Sequence, residues 1–168
     1  MAIKYADEYP YRVQGFMKVT VYKDGEEPKV HEEEQNLVVN MARTIVRDLV
    51  FGDSLPITKI QIGDLGLSPS DDTSNIPPPA LTDTGLVRKF FGKAPYNQTR
   101  IVENGRPGIL YTFRIEKTDA NPVDDTAYNM VIEYALANAE NSIYARKTRA
   151  VINKAADIAL VIEWKLLF

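Results

Sequence analysis

The residues that could carry out chemistry are few, and their spacing matches no known catalytic arrangement. His31 is the only histidine, and the 168 residues include no cysteine. Thiolate nucleophiles, cysteine-ligated zinc and histidine-based metal triads are therefore excluded. A nucleophile–histidine pair would need His31 as its base, but no nucleophile stands beside it in a recognisable motif. We interpret His31 as a surface residue of a charged strand, without a catalytic role.

Two groups of carboxylates have the composition of a cation site. The run Glu32-Glu33-Glu34 is the first, although such a run is more often the solvated face of a strand. The second group could supply oxygens to calcium, but the alternating acids of an EF-hand are missing, so turn-forming aspartates are the more common explanation. Its members are Asp64, Asp71, Asp72 and Asp83. The sequence leaves open whether this aspartate-rich loop binds an ion.

Glycine-rich phosphate loops are missing as well. Gly63-Asp64-Leu65-Gly66 follows a predicted strand, but it lacks the third glycine and the following helix of a nucleotide-binding fingerprint. The carboxylates fall in no recognisable acid–base setting. The sequence therefore predicts a non-enzymatic protein with no catalytic residue, no metal, no cofactor and no small-molecule substrate.

Composition limits the partners that the protein can have. With 20 basic and 23 acidic residues, the formal net charge of -3 is too balanced for the electrostatic footprint of a nucleic-acid-binding protein. No stretch approaches the roughly 20 apolar residues of a membrane span, and the first residues lack the apolar stretch of a secretion signal. We therefore expect one folded domain that binds neither nucleic acid nor a membrane.

Alternation of apolar and polar residues indicates that most of the chain forms β-strands. Apolar residues recur at every second position from Arg12 to Tyr22 and again from Ile109 to Ile115. Asp24-Gly25 and Asn104-Gly105 accept the positive φ of tight turns, so each predicts a hairpin. Further strands are expected at Pro28 to Gln35, Ile57 to Gly63, Leu86 to Phe91, Asn97 to Glu103, Tyr128 to Leu136, Ser142 to Thr148 and Ile158 to Phe168.

One segment has helical periodicity instead. Between Val39 and Phe51, apolar residues recur at three- and four-residue steps, which predicts an amphipathic helix. We expect its buried side to contain Met41, Ile45, Val46 and Leu49. A helix with one apolar side must pack on something apolar, most simply a face of the sheet.

These elements predict a mainly β fold: a β-sandwich or an open barrel of about seven to eight strands with one amphipathic helix. Residues 12–168 form the β-rich domain, and a long loop at residues 64–84 interrupts it with Pro77-Pro78-Pro79. Residues 1–11 show no regular periodicity and are expected to form an N-terminal docking arm.

Apolar residues in the arm and the loop have little use in a lone domain. We expect both segments to contact neighbouring chains rather than their own core, because exposed aromatic and aliphatic side chains often anchor partner proteins. The expected contact residues are Tyr5, Tyr9, Tyr11, Ile76, Pro77, Pro78, Pro79 and Leu81.

An ordered set of motifs resembles a known family. The set begins with Asn36-Leu37-Val38-Val39-Asn40 running into the helix and continues with Ile57 to Gly66 and then Leu81 to Leu86. It closes with three segments near the C-terminus, Ile143 to Lys147, Val151 to Asp157 and Leu160 to Phe168. In this order the chain resembles small structural proteins of tailed-bacteriophage virions, of the tail-fibre, baseplate or tail-collar type.

The resemblance implies a non-enzymatic structural subunit that is present in many copies of a tailed-phage virion. Tail, adaptor, collar and baseplate positions all fit, whereas the chain is too short to span a long fibre. Its partners would be copies of itself and other virion proteins, and its location the virion, assembled in the host cytoplasm. Two alternatives remain open at this point: a head-decoration or neck protein, and a carbohydrate-binding receptor module.

Overall fold

One antiparallel sheet and one helix make up the described part of the chain, as seen in a computed structural model. The structure describes residues 13–52, 56–122 and 127–168, without the side chains of residues 48–51. The elements are β1 (Gln14–Lys23), β2 (Lys29–Val38), α1 (Met41–Phe51), β3 (Lys59–Gly63), β4 (Lys89–Lys93), β5 (Asn97–Glu103), β6 (Arg106–Ile115), β7 (Asn129–Ala137), β8 (Ile143–Lys154) and β9 (Ile158–Leu167).

The nine strands form a single sheet in the order β4-β3-β7-β8-β2-β1-β9-β6-β5, and the sheet curls into a half-barrel. The prediction of a mainly β fold with one helix is confirmed. Of the two architectures left open by the sequence, the curled single sheet corresponds to the open barrel. Its nine strands match the nine segments predicted as strands and exceed the overall estimate of about seven to eight. Among the described residues, no helix is both long and apolar enough to cross a bilayer.

β2 connects the two halves of the sheet through very unequal pairings. On one side it pairs with β1, which in turn pairs with β9 from Gln14 to Lys23 without interruption. On the other side it pairs with β8 only through Leu37 and Val38. Arg149 of β8 braces this junction, because its guanidinium donates to the backbone carbonyls of Met17 and Glu32.

The main core fills the concave side of the half-barrel. β9 shows why the sequence folds this way: Leu160, Ile162, Trp164 and Leu166 alternate along the strand and are all buried in this core. Each such side chain contributes about 1.5–3 kcal/mol when it leaves water. β1, β3, β6, β7, β8 and α1 supply the other buried members.

β7 and the start of β8 are covered on both faces. Every residue of β7 after Asn129 is buried, whereas a strand with one solvated face would alternate. On the convex side, Ala135, Ala137 and Ile143 form a second small cluster, against which Leu86 packs from the segment before β4. Something other than the main core must therefore cover this outer surface.

Both predicted hairpins are confirmed, but only the second has a tight two-residue turn, since residues 24–28 separate β1 from β2. Gly25 has a φ of 77° between β1 and β2, and Asn104 and Gly105 have φ values of 52° and 77° between β5 and β6. Two consecutive positive φ values are typical of the tight turn that matches the twist of paired strands. The asparagine–glycine pair therefore fixes the register of β5 and β6.

α1 packs through a narrower face than its periodicity predicts. Ala42 and Ile45 are buried in the main core, and Met41 packs against it. Val46 is 40% exposed, so its predicted place on the buried side is wrong. Successive helical residues are about 100° apart, so Ile45 faces the sheet and its neighbour faces away. The side chain of Leu49 lies outside the described residues.

β4 begins at Lys89, later than the predicted start at Leu86. The N–H groups of Val87 and Arg88 donate to the carboxylate of Glu133 on β7. These two residues are therefore bound to a side chain and do not join the β3–β4 ladder.

Candidate assembly surface

Residues 64–88 connect β3 to β4 and lie over the convex face of β7 and β8; we call them the covering loop. The Thr148 hydroxyl donates to the carbonyl of Pro77 at 2.9 Å. The N–H of Asn40, just before α1, donates to the carbonyl of Leu81 at 2.9 Å. The covering loop is thus bound to its own sheet in its middle as well as at its ends.

A buried carboxylate holds both ends of the covering loop. Glu133 is 0% exposed. Its Oε1 accepts the N–H groups of Leu65 at 3.3 Å and Arg88 at 2.9 Å. Its Oε2 accepts the N–H of Val87 at 3.0 Å and the guanidinium of Arg146 at 2.7 Å. Each oxygen thus has two donors, which compensates the cost of burying the charge.

Gly63 allows this close approach of the loop. A Cβ at that position would lie 2.3 Å from the carbonyl oxygen of Arg88 and 2.6 Å from Oε1 of Glu133. Either distance is well inside van der Waals contact, so any larger residue would push the loop from the sheet. The last residue of β3 therefore has to be glycine for the carboxylate to reach the loop.

Arg146 extends the ion-pair network outward from Glu133. It donates to Asp83 at 2.5 Å and to Glu133 at 2.7 Å, and its side chain is only 8% exposed. Asp83 also accepts the N–H of Ala80 at 2.8 Å. One arginine thus ties the far end of the covering loop to the buried carboxylate beneath it.

A second arginine closes the near end of the loop. Arg88 donates to both oxygens of Asp64 at 2.7 Å, and to the carbonyl of Leu67 at 3.1 Å. Asp64 further accepts the N–H of Gly66 at 2.9 Å. The bidentate geometry fixes the turn that follows β3.

The aspartates considered as calcium ligands all have protein donors. Asp64 and Asp83 bind the two arginines, Asp71 binds Ser68, and Asp72 binds the N–H of Ser74. In the part of the chain that the structure describes, no three metal-ligating side chains come close enough to hold an ion. These aspartates form turns and ion pairs.

The predicted contact residues of the loop lie on its outer surface to different degrees. Leu81 is 53% exposed, and Pro77 and Pro78 are exposed, whereas Ile76 and Pro79 are partly buried. The loop is bound to its own sheet and packs Leu86 on a buried cluster, so the expectation that it avoids its own core is wrong. Contact with another chain stays a prediction. Tyr5, Tyr9 and Tyr11 lie outside the described residues.

The acidic run on β2 is paired with basic side chains. Glu34 binds Lys147 at 2.7 Å and Arg149 at 2.9 Å, and Glu33 binds Lys165 at 3.0 Å. The hydrogen bond from Lys147 lowers the pKa of Glu34, an effect that burial opposes and Arg149 reinforces. These pairs favour a role in strand pairing over cation binding.

His31 lies on the same strand and is partly exposed. Burial lowers its pKa, and the positive charges of Arg149 and Lys29 lower it further. Among the described residues, no hydrogen bond connects it to a nucleophile. Its surroundings agree with the interpretation that it has no catalytic role, which remains a prediction.

Two candidate features were not found from the sequence, namely the buried pair of Glu133 and Arg146 and the edge of β5. Glu133 had a usable signal, since it is a charged residue within an otherwise apolar strand. Arg146 had none, because Lys147 follows it in a polar stretch of β8. The free edge of β5 had none, because edge position follows from topology alone. Beside that edge Tyr96 is 64% exposed, and the guanidinium of Arg114 lies 3.9 Å from the centre of its ring.

Comparison of the chain with protein-family models, curated proteins and solved structures finds no match.

Proposed function

We propose that the protein is a non-enzymatic structural subunit of a tailed-phage virion, present in several copies at a tail, adaptor, collar or baseplate position. The observation that carries this proposal is the covering loop. Glu133 and Arg146 hold an irregular segment in one shape over the outer face of β7 and β8. Loops that open over active sites are drawn from the least stable parts of a structure. A loop that a buried carboxylate holds in one shape does not open in this way, and it is therefore suited to permanent contact with a neighbouring protein chain.

The outer surface of the covering loop supplies apolar anchors for such a contact. Leu81 is 53% and Val87 65% exposed, although the backbone beside each is fixed. Anchors on a fixed backbone lose little conformational entropy on binding, and each can contribute about 1–3 kcal/mol. Repetition around a symmetry axis multiplies this contribution.

Incorporation into particles tests the proposal. The double substitution Leu81→Ser and Val87→Ser should leave the melting temperature unchanged, because both side chains are exposed, and should strongly reduce the amount of protein found in purified particles. The matched control is Tyr22→Ser with Val30→Ser, two side chains that are 42% and 54% exposed on the β1–β2 hairpin. Normal occupancy of the loop variant would refute the role of the loop.

A deletion separates the arm from the loop. Removal of residues 1–11 should leave the melting temperature nearly unchanged and block incorporation. Particle imaging by cryo-electron microscopy then distinguishes a tail position from a head or neck position. Specific glycan binding by the isolated protein, with no incorporation into particles, would favour a receptor module instead.

A further inference from the structure

The two edges of the sheet differ in how they are protected. β4 has five residues, with a lysine at each end, a glycine and an irregular register against β3. Short length, lysine and bulges are the features that keep sheet edges from pairing with other chains. β5 has seven residues without lysine, glycine or proline, and its register with β6 is regular. Of the two edge strands that the structure describes, only β5 lacks these protective features.

Side chains around the β5 edge are also unusually exposed. Val102 is 75% exposed. It is paired with Pro107, whose carbonyl accepts the N–H of Phe168, itself 37% exposed. Arg100, in the middle of the strand, is exposed and makes no ion pair with any residue that the structure describes. An apolar corner and an exposed positive charge therefore lie beside the edge of β5.

We propose that this edge binds residues 3–9 of a second copy of the chain as an added strand. The inference rests on the proposed function, because it requires several copies in contact. Ile3, Tyr5 and Tyr9 all lie at odd positions, although Asp7 interrupts the series, and the segment contains no glycine or proline before Pro10. A segment of this kind can add to a sheet edge, because the main-chain hydrogen bonds of an added strand do not require a wholly apolar face. The adjacent carboxylates at positions 7 and 8 complement the charge of Arg100.

Chain length favours a second copy over the same molecule. Gln14 is aligned with Leu167, Gly108 and Ile101 across the sheet. A strand added beyond β5 would lie four strand spacings from Gln14, roughly 19 Å along the sheet. The five residues from Tyr9 to Gln14 span at most roughly 18 Å when fully extended. Pairing with its own β5 would therefore require the linker from Tyr9 to Gln14 to be almost fully extended, whereas pairing with a second copy imposes no such constraint.

Pairing of β5 with β5 of another copy is disfavoured by charge. A symmetric antiparallel pair would be centred on Arg100, the middle residue of Asn97–Glu103. It would place Arg100 directly beside its symmetry mate, and like charges at opposite positions destabilise a sheet. The N-terminal segment brings opposite charge instead.

Photocrosslinking of the full chain tests the proposal. Tyr5 is replaced by p-benzoylphenylalanine, and equal amounts of ¹⁵N-labelled and unlabelled protein are mixed, irradiated and mapped by mass spectrometry. We expect crosslinks to residues 97–103 in which the two peptides carry different isotopes. The same photoreactive group at Tyr22, an exposed residue at the other end of β1, should give no crosslinks to β5.

A proline scan gives a second readout. N–H groups of adjacent residues point to opposite sides of a strand, so one of Thr99→Pro and Arg100→Pro removes an outward donor and spares the β5–β6 ladder. That variant should keep the wild-type melting temperature and lose the mixed-isotope crosslinks.

Each other outcome overturns the proposal. Crosslinks to β5 with a single isotope would mean that the segment pairs within its own molecule, and crosslinks elsewhere, or none, would exclude the β5 edge. Incorporation into particles without β5 crosslinks would refute this inference and leave the proposed function intact.

Discussion

At the scale of single residues, the most consequential position is Glu133. A carboxylate without solvent contact is costly unless its charge is compensated. Glu133 has four donors, three from the backbone of the covering loop and one from Arg146. The same residue therefore neutralises a buried arginine and attaches a loop to the sheet. Loss of the carboxylate should affect both at once.

Glu133→Gln should reduce the free energy of unfolding by about 3–5 kcal/mol, as expected when one partner of a buried ion pair is removed. The isosteric amide of glutamine cannot replace the lost hydrogen bonds, because its NH₂ group would face two donors in either orientation. Urea unfolding at 25 °C measures the change.

The matched control is Glu163→Gln, which removes an ion pair with Lys18 whose side chains are 35% and 37% exposed. Exposed pairs contribute at most about 1 kcal/mol. Equal effects of the two substitutions would show that burial of Glu133 does not control stability.

At the scale of elements, the helix offers a comparison of adjacent positions. Ile45→Asp should reduce the free energy of unfolding by several kcal/mol, because it places an unpaired charge in the main core and removes apolar contacts. Val46→Asp, at a side chain that is 40% exposed, should change it by less than about 1 kcal/mol. Thermal melts of both variants measure the difference. An unchanged melting temperature for Ile45→Asp would contradict the packing of α1.

Local patterns predicted most elements, whereas contacts distant in sequence did not follow from them. Alternation located β1, β6 and β9, and the asparagine–glycine turn set the β5–β6 hairpin. Val46 was misplaced because periodicity gives the direction of a helical face but not its width. The delayed start of β4 depends on Glu133, which is 45 residues from Arg88. No pattern within one strand reveals such a partner.

At the scale of the whole molecule, the core contains tyrosines that resist ionisation. Burial, reinforced by the nearby Tyr111, raises the pKa of Tyr144 to about 12. The folded state therefore keeps this proton at pH values where the unfolded state releases it. The contribution of Tyr144 to the free energy of unfolding is therefore fully present below pH 10, and it is lost as the pH rises toward about 12.

Comparison with Tyr144→Phe isolates this effect, because phenylalanine has no proton to lose. The stability of the wild-type protein relative to the variant should fall by about 2–3 kcal/mol between pH 9 and pH 12. Denaturant unfolding at a series of pH values measures it. A constant difference across that range would show that the hydroxyl ionises as easily in the folded protein as in water.

The unequal pairing of β2 determines how the half-barrel can deform. The ladder from Gln14 to Lys23 resists shear along its whole length, whereas two residue pairs join β2 to β8. Bending of the sheet should therefore concentrate at Leu37 and Val38. The two halves of the sheet should rotate as rigid bodies about this junction of β2 and β8. The hydrogen bonds of Arg149 to the carbonyls of Met17 and Glu32 join the two halves and would oppose such a movement. A half-barrel with one compliant line can adjust its curvature while the strand pairing within each half stays intact.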